Sequence, residues 1–212
     1  MGTTKKKILL SIAELLSLSG LMISVPVIAG IDSVLIGHGT TETSITELMQ
    51  EALILLSAVL CGLAAWQHPK SRGFLTLAAG LFGCMFIREC DAFLDTITHG
   101  FWVYPAIILA LATILYALTC RETLIPTLVS YLGKKHFTYI FIGLLVVMVF
   151  SRAFGAGYLW EAVMGTNYRS AYKSLIQEGL ELFGYIQVAY GALLLFFYER
   201  ISTRQEPAAA SN

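Results

Sequence analysis

Charge is what this chain has least of. Lys, Arg, Asp and Glu make up 13% of its 212 residues and cancel to a formal net charge of zero, whereas roughly a quarter of a soluble domain is charged. A neutral chain this poor in cations lacks the electrostatic grip that a nucleic-acid partner requires, and none is expected. Cysteine is scarce too. Cys61, Cys84, Cys90 and Cys120 form no CxxC pair and lie in or beside apolar runs, which argues against a disulfide framework or a thiolate zinc site and for buried free thiols. The chain also has no GxSxG, P-loop, GxGxxG or HExxH motif, so no nucleophile elbow, nucleotide cradle or zinc-protease helix is written into it.

What it has instead is apolar sequence: 57% of the residues are hydrophobic, and they come in long runs. A run of about 20 apolar residues crosses a bilayer core as a helix. Lipid offers the backbone no hydrogen bonds, so only helices or closed barrels can cross. These runs lack the period-two alternation of a barrel strand. Six spans are predicted, at 8–30, 48–66, 74–96, 101–120, 137–155 and 176–198, in one polytopic domain over 1–202. A tail over 203–212 (TRQEPAAASN) reads as disordered. The first run follows Lys5, Lys6 and Lys7, as a signal peptide would, but it is long and carries Glu14 and Pro26, so a retained span is expected.

Orientation follows from the cations of the short connections. Lys5, Lys6, Lys7, Lys70, Arg72, Arg121, Lys134, Lys135, Arg200 and Arg204 fall on one side of a six-span path; Arg152, Arg169 and Lys173 fall on the other. The expectation is a bacterial-type inner-membrane protein with both termini cytoplasmic, and with a short extracytoplasmic interfacial segment at about 156–172. The bilayer is its expected environment; other membrane subunits are open as partners. In this arrangement His38, His68, His99 and His136 all fall outside the spans, so no haem is expected, nor a nucleotide.

The informative residues are the acids inside the runs. A charge in mid-span costs a few kcal/mol, about 2.5–3.5 on insertion scales, and asks for a partner or a purpose. On a continuous third helix Arg88, Asp91, Asp95 and His99 would share an arc of about 80°, with Glu89 to one side. In the sixth run Glu178, Glu181 and Tyr185 fall on one face, and Glu47 and Glu51 form an i, i+4 pair at the start of the second. The expected topology places all seven carboxylates in the extracytoplasmic halves of three helices. Closely spaced carboxylates in a poorly solvated layer cannot all ionise without a counter-charge.

Four readings follow and stay open at this stage. The first is a polar cavity facing the extracytoplasmic side that binds a cation, or a cationic or headgroup-bearing ligand, through Glu47, Glu51, Arg88, Glu89, Asp91, Asp95, His99, Glu178, Glu181 and Tyr185. The second is a lipid hydrolase whose divalent cation is held by Asp91, Asp95, His99, Glu178 and Glu181. The third is a small proton- or cation-coupled transporter. The fourth is a non-catalytic assembly or sensor subunit, with Arg88 paired to Glu178 or Glu181 as structural glue. Whether the chain is an enzyme is open on sequence alone.

Overall fold

The computed structural model describes residues 2–32 and 44–209; His38 lies outside them. Every element among the described residues is helical. The order is α1 (Gly2–Ile31), α2 (Ile45–Gln67), α3 (Arg72–Glu89), α4 (Asp91–Leu94), α5 (Val103–Thr119), α6 (Leu124–Tyr131), α7 (Lys135–Leu145), α8 (Ser151–Phe154), α9 (Gly157–Met164) and α10 (Ser170–Ala209). A π-helical segment, Val146–Phe150, joins α7 to α8. Four helical stretches are long and apolar enough to cross a membrane: Thr4–Ile31, Ile45–Gln67, Lys135–Phe154 and Ser170–Ile201. A fifth arises if α5 and the segment Arg121–Tyr131, bent 85° from it, are one broken span.

Six spans were expected, so the count differs at the third and fourth. The α3 helix has only 18 residues and carries Arg72, Arg88 and Glu89 at its ends. The α5 helix has 17, about 25 Å at 1.5 Å per residue, which is short for a 30 Å core. The expected interfacial segment at 156–172 contains α9, a short 3₁₀ turn (Gly165–Asn167) and the first residues of α10. The α10 backbone is helical as far as Ala209, through most of the stretch read from sequence as a tail.

The α10 helix is the axis of the bundle, packed against α2 on one side and α7 on the other; α3 packs on α2, and α5 on α3. Small residues allow the close crossings. A Cβ added at Gly143 would stand 2.6 Å from the Gly184 carbonyl oxygen, and one at Gly191 would stand 2.8 Å from that of His136, so α7 and α10 touch backbone to backbone. Gly83 likewise leaves room for Leu109 of α5, and Gly73 for the Cys120 carbonyl. By contrast α1 lies at the margin, its buried positions including only Val25 and Ala29 among the apolar ones. The outward faces of α1, α2, α5 and α7 carry many exposed Leu, Ile, Val and Phe side chains, an apolar surface far beyond what a soluble monomer shows.

Candidate functional site

The start of α2, the end of α3, the end of the π-helix–α8 stretch and the start of α10 meet at one end of the bundle, and polar side chains tie them together. Asp32, just past α1, accepts from the backbone N–H groups of Ile45 (3.1 Å) and Thr46 (2.8 Å) and from the Thr46 hydroxyl. Ser44 accepts from Glu47 N–H at 3.1 Å. Together they occupy the unsatisfied donors of the first turn of α2, where a negative charge also meets the positive end of the helix dipole. One turn further on, Gln50 is buried and donates to the backbone carbonyl of Glu178 at 3.0 Å, joining α2 to α10.

The centre of the site is formed by two carboxylates from different helices. Glu181 of α10 is 4% exposed. Its Oε1 lies 3.2 Å from the Gln177 amide, 3.2 Å from the Ser151 hydroxyl and 3.5 Å from the Arg152 guanidinium. Glu89, the last residue of α3, accepts a hydrogen bond from the buried Tyr185 hydroxyl of α10 and stands 3.5 Å from Arg88. Glu181 and Arg152 are both close enough for their charges to act on Glu89. The buried Glu181 and the partly buried Glu89 therefore each have their own arginine, and both arginines are partly open to the surroundings, with side chains 34% and 47% exposed. Ser151 has one hydroxyl proton and two acceptors in reach, the Val147 carbonyl and Glu181. It can donate to Glu181 only by releasing the helix carbonyl.

The pairing expected from sequence is corrected in two respects. Arg88 pairs with its neighbour Glu89 rather than with Glu178 or Glu181, and Arg152 is the cation beside Glu181. The three-turn stripe along the third helix is also broken. The α3 helix ends at Glu89, the chain turns at Cys90, and α4 is only one turn long. Asp91 is thereby exposed. Asp95 closes the following turn instead: it accepts from Gly100 N–H at 2.9 Å and pairs with the fully exposed His99 at 2.9 Å.

Of the ten residues singled out from sequence, Glu89, Glu181, Tyr185 and Arg88 stand together. Glu178 is adjacent through its backbone, and Glu51 is near enough for its charge to reach Cys90. Glu47 is half-buried in the first turn of α2, while Asp91, Asp95 and His99 sit apart on the turn after α3. No three His, Cys, Asp or Glu side chains converge as metal ligands among the described residues, so the set Asp91, Asp95, His99, Glu178 and Glu181 is not gathered.

The sequence reading did not single out Asp32, Gln50, Ser151 or Gln177 and left Arg152 marginal. A second polar node at the far end of α10 also escaped it. There the buried Glu199 accepts from the Tyr131 hydroxyl at 2.7 Å and from Ser71 at 3.1 Å, and His136 is buried between the rings of Tyr131 and Tyr198. Glu199 falls one residue beyond the predicted sixth span, and His136 one residue before the fifth, which hid both from a search for charges within spans. Glu14, alone in the first run, bonds to Lys135 and Tyr139 of α7.

No protein-family model, no curated protein and no solved structure matches this chain.

Proposed function

We propose that this chain is a polytopic inner-membrane protein, with six spans and both termini cytoplasmic, that uses the Glu89–Glu181 node to bind the cationic group of a headgroup-bearing ligand from the extracytoplasmic side. One observation carries the reading. Two carboxylates from different helices, Glu181 buried and Glu89 partly buried, are close enough for their charges to interact, and each stands 3.5 Å from a partly exposed arginine. An ammonium group suits the carboxylates, and a phosphate on the same headgroup suits the outer guanidiniums, which offer fork-shaped pairs of donors. With an arginine beside each acid, an occupant that brings an anionic group along with its cation fits better than a bare divalent cation.

The test uses purified protein and its thermal stability, read with added phosphatidylethanolamine, phosphatidylglycerol, Na⁺ or Mg²⁺. Phosphatidylethanolamine is expected to raise the Tm more than phosphatidylglycerol does. That difference is expected to vanish in the pair of changes Glu89→Gln, Glu181→Gln, because a bound ligand stabilises only the state that binds it. A response to Mg²⁺ alone, lost in the same variant, would favour the cation reading. No response to any of them would leave the acids as structural ion pairs. That second reading has its own support, since both carboxylates have protein partners on more than one helix.

A further inference from the structure

A groove of about 490 Å³ runs between α2, α3 and α5 at the opposite end of the bundle from the Glu89–Glu181 node. Its floor consists of small side chains: Gly62 and Ala65 of α2, Thr76, Ala79 and Gly80 of α3, and Thr113 of α5. These residues leave a channel along the helices, from Arg72 to Gly80, of about 12 Å at 1.5 Å per residue. The volume lies within the range of about 300–1,000 Å³ that holds small ligands.

The floor alone does not identify an occupant; its mouth does. Arg72 lines the same groove and is half-buried. Its Nε and one Nη donate to the last carbonyls of α2, Ala65 at 3.1 Å and Trp66 at 3.3 Å. Those two bonds use two of the five guanidinium N–H groups. Among the described residues no carboxylate pairs with Arg72. Lys70 and Arg121 are exposed at the same end; of the acids there, Glu122 is exposed beside Arg121, and Glu199 is engaged by Tyr131 and Ser71. Trp66 and Tyr116 flank the mouth with largely exposed rings, the side chains that favour a membrane–water interface.

We infer that this groove holds one anionic phospholipid, with its phosphate on Arg72 and one acyl chain laid over Gly62 and Ala79. The inference rests on the membrane reading but not on the ligand of the acidic node. Charge complementarity selects the anionic headgroup: a cation at the mouth of an apolar channel, with donors left over, suits a phosphodiester that carries a chain. In the proposed orientation the site opens to the cytoplasmic leaflet.

Native mass spectrometry of the full chain, released from detergent after exchange into phosphatidylglycerol or phosphatidylcholine, tests it. The wild type is expected to retain phosphatidylglycerol at least tenfold better than phosphatidylcholine. Arg72→Gln should remove that preference. Ala79→Leu, which fills the channel and leaves the cap on α2 untouched, should lower the retention of both lipids; it also carries the test if Arg72→Gln does not fold. Equal retention of the two lipids by wild type, or unchanged retention in Ala79→Leu, would overturn the inference. Displacement by soluble glycerol phosphate as effective as by the lipid would reduce the groove to a phosphate site and overturn it too. A dimer that Ala79→Leu disperses would assign the groove to a second copy of the chain instead. The readout is phosphatidylglycerol at Arg72, so it fails separately from amine binding at Glu89 and Glu181.

Discussion

The side chain on which the site turns is Glu181. It is surrounded by neutral donors, Ser151 and Gln177, and by one cation, Arg152, on a neighbouring helix. Removing Arg152 leaves a buried carboxyl short of its counter-charge, which costs about 1–3 kcal/mol when the group keeps its other partners. Arg152→Leu is therefore expected to lower the unfolding midpoint. Glu181→Leu added to it should recover part of the loss, giving a coupling of about 0.5–3 kcal/mol in a double-mutant cycle. The same cycle with Arg88 in place of Arg152 should give a smaller coupling, since Arg88 pairs with Glu89. Larger coupling from Arg88 would mean that the sequence expectation of an Arg88–Glu181 pair is the better one. Tyr185→Phe removes a single interhelical hydrogen bond and should cost about 0.6–1.7 kcal/mol, measured by chemical or thermal unfolding in the same detergent.

At the scale of elements, the crossing of α7 and α10 depends on the absence of side chains. Gly143, Gly184 and Gly191 let the two backbones meet, and any larger group at Gly184 enters the space of Val147 and the Gly143 carbonyl. Gly184→Leu is expected to destabilise by about 1–3 kcal/mol or more, as overpacking does; Gly20→Leu on α1, where nothing stands within 4 Å, should be close to neutral. Comparing their melting temperatures checks the crossing. At the start of α2, Asp32→Ala removes the acceptor for the Ile45 and Thr46 amides and should cost about 0.5–2 kcal/mol, the range for a lost cap.

These two features also mark what was legible in the sequence. Long apolar helices were plain from composition, and Glu89 and Glu181 stood out because ionisable groups are rare within such runs. The break at Cys90 was not legible. A helical-wheel argument assumes one continuous helix, and nothing in IRECDAFLD distinguishes a stripe of acids along a helix from acids turned outward by a bend. Nor could the sequence show which cation approaches Glu181. Arg152 is remote along the chain and reaches the site through the packing of α10 beside α8.

For the whole molecule, the number of crossings, four or five by helix length and apolarity, turns on one bent pair of helices. The bundle has a polar node at each end of α10, built on Glu181 and on Glu199, with mostly apolar packing between them. Such a molecule suits a bilayer in which both nodes sit near water. The crossing that decides the count is α5, which is short by itself and meets the following segment at 85°. If α5 is a full span, Thr98 before it and Ser130 after it lie on opposite sides; if the bent pair is a re-entrant loop, both lie on the same side. Both residues are exposed. In a background with all four native cysteines replaced by serine, Thr98→Cys is expected to react with a membrane-impermeant maleimide from the extracytoplasmic side. Ser130→Cys is expected to react only after the membrane is opened. Labelling of both from outside would reduce the count and place the ends of α5 and α6 on one face. Labelling of Ser130→Cys alone would reverse the orientation, carrying the Arg72 groove to the outer leaflet and the Glu89–Glu181 node to the inner one.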